Sequence, residues 1–131
     1  MAPTRETPQP DEVRLTVPAR PEFSAVASDA GSALARRAGL SNVHIDQLQT
    51  ALGHAVGLFT SRTEQICISF RVDGAMLAVE ASTPDGLALD GLEGGESWLR
   101  LHSYLPQATL HAARGLVRFR LGARRGTHRP E

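Results

Sequence analysis

Lysine is absent from the 131 residues, so all 14 basic side chains are arginine. A Walker-type phosphate loop and Schiff-base chemistry both need a lysine, and both are excluded. Cys67 is the single cysteine. That excludes an internal disulfide and any Cys-rich zinc site. Asn42 is the single asparagine. No apolar run approaches the ~18 residues of a membrane span, and MAPTRETPQPDE lacks the apolar stretch of a signal peptide. The expectation is a cytoplasmic protein that makes no use of a membrane.

Against these absences stand 31 Leu, Ile, Val and Phe residues, about a quarter of the chain. That exceeds the ~20% below which charged chains tend to stay disordered, and the length suits one domain with one core. Fourteen acids balance the arginines, but unevenly. Residues 73–96 hold six acids (Asp73, Glu80, Asp85, Asp90, Glu93, Glu96) and no arginine, whereas residues 97–131 hold seven arginines against Glu131. Charge blocks of this kind are usually solvated surface, and otherwise mark a partner of opposite sign.

Residues 1–11 are Pro-rich and polar and read as a disordered arm. Val13, Leu15 and Val17 alternate as in a strand that Pro18 ends. Pro21 and Glu22 suit a helix start and Gly39 its end; Phe23, Val26, Ala30 and Leu34 fall at three- and four-residue steps between them. Gly31 lies inside that helix, where it costs ~1 kcal/mol against Ala and lets a neighbour approach closely. Ser41 and Asn42 suit a cap before a second helix over 44–59, with Leu48, Leu52, Ala55 and Phe59 as its buried stripe. Strands over 64–72 and 75–82 meet at the hairpin signal Asp73-Gly74, and a loop with four glycines follows. A third helix over 96–105 carries Trp98, Leu99, Leu101, His102 and Leu105, and Pro106 stops it. Residues 107–113 and 116–121 read as strands joined at Arg114-Gly115, before a basic tail over 123–131. The expected fold is a two-layer α/β sandwich in the α+β class: a mixed, mostly antiparallel sheet with three helices on one face.

Single residues carry little chemistry by themselves. Cys67 sits mid-strand as a packed or facial residue. His102 and His111 have no acid at metal-ligand spacing, and Trp98 is a core or interface anchor. Six arginines over 114–129 have only Phe119 interleaved, so direct nucleic-acid binding is not expected.

Residues 12–122 resemble the anti-sigma-factor serine kinases of bacteria, small members of the histidine-kinase, gyrase and Hsp90-like ATPase superfamily. The segments that carry the resemblance are VRLTVPARPEFSAV, IDQLQTALGHAV, ISFRVDGAMLAVEAS and GGESWLRLHSYLPQATLHAARGLVRFRL. The similarity is strongest to the actinobacterial type. It implies a histidine-kinase-like ATPase domain over 12–122 and leaves a homodimer or a complex with a paralogue open. In the family the second helix carries a Glu general base and, four residues on, an Asn that helps hold magnesium. Aligned on Ala51-Leu52, those positions are His54 and Leu58 here. Leucine cannot ligate magnesium, and Asn42 lies before the helix. His54 reads as a partly buried structural histidine rather than a base. The family's Asp-x-Gly-x-Gly, which binds adenine, corresponds at best to Asp85 and Gly86 within Thr-Pro-Asp-Gly, itself a turn sequence. Gly94 and Gly95 stand where the family has a phosphate-cradling lid.

The resemblance therefore implies a regulatory binding module with a vestigial nucleotide pocket at His54, Leu58, Asp85, Gly86, Gly94 and Gly95. It would have no catalytic residue, no metal and no cofactor. Its partners would be a sigma factor or an anti-sigma antagonist, met through Asp85, Asp90 and Glu93. The alternative is an active serine/threonine kinase that binds ATP and Mg²⁺ and phosphorylates an antagonist protein.

Overall fold

A computed structural model describes residues 12–84, 91 and 94–122. Strand β1 (Glu12–Pro18) is followed by a single 3-10 turn at Pro21–Phe23 and helix α1 (Ser24–Arg37). Helix α2 (Asn42–Phe59), strands β2 (Gln65–Asp73) and β3 (Met76–Ser82) and helix α3 (Glu96–Tyr104) come next. Strand β4 (Thr109–His111), a 3-10 turn at Ala112–Arg114 and strand β5 (Leu116–Gly122) complete the order.

The five strands form one sheet in the order β1-β2-β3-β5-β4, and every neighbouring pair is antiparallel. The expectation of a mixed sheet is thus corrected. The reason lies in the excursion between β1 and β2. It contains two helices that run out and back, so Pro18 and Gln65 end up opposite each other. The backbone N–H of Ala19 donates to the Glu64 carbonyl at 2.9 Å and closes the loop.

Strand alternation places Val17, Ile66, Ile68, Phe70, Leu77, Val79, Ala81, Val117, Phe119 and Leu121 in the core. Helices α1 and α2 pack against one another and against the sheet, and α3 leans mainly on α2. The stripe of α2 is buried as its spacing requires, with Leu48, Leu52, Ala55 and Phe59 all at 0% exposure. Ser41 caps this helix, its hydroxyl accepting from the His44 backbone N–H.

The stripe of α1 differs from the expected one. Val26 is half exposed, and the residues turned inward are Ala27, Ser28, Gly31, Ser32, Leu34 and Ala35. The helix is rotated because its small residues permit the closest approach to the sheet. A Cβ on Gly31 would stand 2.7 Å from Phe70 Cε1 and 2.9 Å from Leu48 Cδ2. Close approach of the helix backbone brings these two large side chains into dispersion contact with it, while Val26 stays at the margin.

The β2–β3 hairpin also shifts by one residue from the Asp-Gly signal. Asp73 pairs with Met76, and the two turn residues are Gly74 (φ +66°) and Ala75. Glycine at the first turn position suits a hairpin turn that follows the strand twist. The segment read as a strand over 107–113 forms pairs only over Thr109–His111 before the 3-10 turn and Gly115 (φ +60°) reverse the chain.

Candidate functional site at the junction of two helices

Helix α3 crosses α2 near the C-terminal half of α2. The contact is close because Gly57 presents no side chain: a Cβ there would lie 2.9 Å from the Ser97 Oγ. Leu101 is the side chain of α3 that enters the core, at 0% exposure. Beside this seam His54, Gly94, Glu96, Leu99, Arg100, Ser103 and Tyr104 line an open cleft of about 720 Å³.

Glu96, Arg100 and Tyr104 recur at four-residue steps, so they stand in one row along α3. Arg100 is ion-paired with Glu96 through its terminal nitrogen. The His54 ring meets the Tyr104 ring edge-on, with centroids 6.5 Å apart and an interplanar angle of 71°. Partial burial lowers the His54 pKa below its ordinary value, and the positive charge of Arg100 lowers it further. His54 is therefore held neutral, with hydrogen-bonding nitrogens but no charge to offer at neutral pH.

The sequence-derived candidates divide. His54 and Gly94 line the cleft, and Gly95 is the extended N-cap of α3. A Cβ on Gly94 would meet nothing within 4 Å, so packing does not demand glycine there. Leu58 is absent from the cleft: it is 2% exposed and belongs to the hydrophobic core. His54 and Leu58 share a helical face, yet the face turns from cleft margin to interior within one turn. Asp85, Gly86, Asp90 and Glu93 lie outside the described residues. Among the described residues no three His, Cys, Asp or Glu side chains cluster as metal ligands.

Arg100 and Tyr104 were not singled out from the sequence. The four-residue spacing from Glu96 could have marked them as one face, but nothing in it indicates that this face meets α2 at His54. Trp98 is partly buried, packed against the core and over the His102 ring at a centroid distance of 5.1 Å. Cys67 and Thr16 face each other on the opposite side of the sheet, Sγ to Oγ1 at 3.6 Å.

No protein-family model matches this chain, and no curated protein matches it. The cleft must therefore be read from its own chemistry. Among the described residues that line it are one neutral imidazole, one phenol, one hydroxyl and one internally neutralised ion pair. Such a surface can accept a side chain of another protein through hydrogen bonds and apolar contact.

Proposed function

We propose that this chain is a regulatory protein-binding module of the anti-sigma type, in which the nucleotide pocket of the kinases it resembles is vestigial. The observation that carries the reading is the position of Leu58. Where the resembling family needs an oxygen ligand for magnesium, this chain places a leucine side chain in its core. His54, at the position of the family's general base, is a partly buried neutral ring set against Tyr104. Arg100, the cation nearest the cleft, is tied to Glu96.

The partner would be a sigma factor or an anti-sigma antagonist with a basic surface. Of the six acids in 73–96, Glu80 is paired with Arg118 and Glu96 with Arg100. The contact candidates are Asp85, Asp90 and Glu93, which lie outside the described residues.

Two measurements test this reading. ATP with Mg²⁺ at millimolar concentration should leave the melting temperature unchanged. A ligand at 100 times its dissociation constant would add ~2.7 kcal/mol, a shift of several degrees for a domain of this size. A magnesium-dependent shift abolished by chelator would instead establish a working nucleotide site and the kinase alternative. Binding to sigma factors and antagonists of the source cell, measured by biolayer interferometry, should lose association rate in the Asp85→Arg, Asp90→Arg, Glu93→Arg variant. Unchanged binding by this variant, with a native circular dichroism spectrum, would remove the acidic segment from the interface.

A further inference from the structure

The sheet face opposite the helices carries a second charged surface. Its rows follow from strand register. Glu12, Arg71, Ala78 and Arg120 lie side by side across β1, β2, β3 and β5. Arg14, Ser69, Glu80 and Arg118 form the next row, and Thr109 of β4 continues it. Four arginines and two glutamates thus occupy two adjacent rows, around a depression of about 580 Å³.

The six charges are not equivalent. Arg14 pairs with Glu12 and Arg118 with Glu80, at 2.9 and 2.8 Å. Among the described residues neither Arg71 nor Arg120 has an ion-pair partner. Between them stands Ala78, whose methyl group leaves the space above it open. With strands ~4.8 Å apart, the backbones of Arg71 and Arg120 are about 10 Å apart across that gap. Arg120 is also held in place: the Gln107 side chain donates to its carbonyl and accepts from its N–H.

We infer that this open sheet face is a docking surface for an acidic protein segment, whose carboxylates Arg71 and Arg120 receive from either side of Ala78. Guanidinium groups bind carboxylates in a bidentate manner, which suits a fixed pair on a rigid sheet. A nucleic-acid backbone fits less well. The Glu12 and Glu80 carboxylates would oppose a continuous row of phosphates, and the described residues of this face include no Phe, Tyr or Trp on which a base could stack. This surface is opposite in net sign to Asp85, Asp90 and Glu93, and its test involves none of those three residues, so it stands or falls apart from the reading proposed above.

The test uses fluorescence anisotropy of the full chain with three labelled probes: a ten-residue peptide of alternating Glu and Ser, its Gln-Ser counterpart, and a twelve-nucleotide oligothymidylate. The Glu-Ser peptide should bind with a dissociation constant below about 1 mM, and more weakly as salt rises. Arg71→Ala with Arg120→Ala should weaken it at least tenfold. Ala78→Tyr, which fills the gap and keeps both arginines, should do the same. Arg36→Ala with Arg37→Ala, an equal loss of charge from the exposed end of α1, should leave binding unchanged. Failure of the Glu-Ser peptide to bind, an equal loss in the α1 variant, equal binding of the Gln-Ser peptide, or tighter binding of the oligonucleotide would each overturn the assignment.

Discussion

Gly57 of α2 and Ser97 of α3 stand so close that a Cβ on the glycine would lie 2.9 Å from the serine Oγ and 3.6 Å from its Cβ. This contact seats α3 on α2 and so sets the distance between Tyr104 and His54. Gly53, one turn earlier in the same helix, has nothing within 4 Å of its would-be Cβ. The two glycines therefore separate helix propensity from packing. Gly53→Ala should stabilise the protein by about 0.5–1 kcal/mol, because alanine is the better helix former. Gly57→Ala should yield less than that, or destabilise. Most of the missing gain should return when Ser97→Ala removes the clashing oxygen, as urea unfolding of the four single and double variants would show.

Leu58→Asn supplies the residue that the resembling family uses at this position. Because Leu58 is buried in the core, the substitution should cost about 3 kcal/mol or more, through lost apolar burial and an unpartnered amide. It should not produce magnesium-dependent ATP binding. A stable Leu58→Asn protein whose melting temperature rises with ATP and magnesium would show that the side chain faces the cleft after all.

The lowered pKa of His54 makes a signed prediction. Its folded pKa lies below the unfolded value of about 6.5. Between the two values the unfolded chain binds more protons, so stability falls as pH drops from about 6.5 toward the folded pKa. Below the folded pKa this contribution changes no further. His54→Gln should reduce the loss of stability between pH 7.5 and pH 5, measured by denaturant unfolding. NMR titration of the ring should place its midpoint below the ordinary histidine range, and Arg100→Gln should move it upward.

Gly122 ends β5 with φ +97°, opposite Met76, and a Cβ there would lie 2.3 Å from the Ala75 carbonyl oxygen. Backbone cannot yield as a flexible side chain does. Gly122→Ala should therefore destabilise by about 1–3 kcal/mol and loosen the end of the β3–β5 pair. Hydrogen exchange at Leu77 and Leu121 is the readout, and protection equal to wild type would contradict the contact.

The strands and helices were legible because their signals are local. Period-two alternation at 66–70 and 77–81, the 3.6-residue stripe of α2, the cap at Ser41 and the stop at Pro106 each depend on residues within a few positions. The same local rules misjudged α1. They favoured Val26 as the larger apolar residue, whereas the decisive property was the smallness of Gly31 against Phe70 and Leu48. Those partners are distant along the chain, and no local pattern names them.

The amino-acid sequence by itself determined the exclusions: no lysine chemistry and no disulfide within the chain. It also determined the alternation that divides each strand into an apolar and a polar face. Only the tertiary structure decided that every strand pairing is antiparallel and that His54 meets Tyr104 across the α2–α3 seam. It likewise decided that Arg71 and Arg120 flank Ala78 on the open face. The physical reason is the same in each case. Alternation and capping are settled by neighbours along the chain. Pairing register and helix rotation are settled by which distant surfaces pack most closely, and that competition is won only when the whole core assembles.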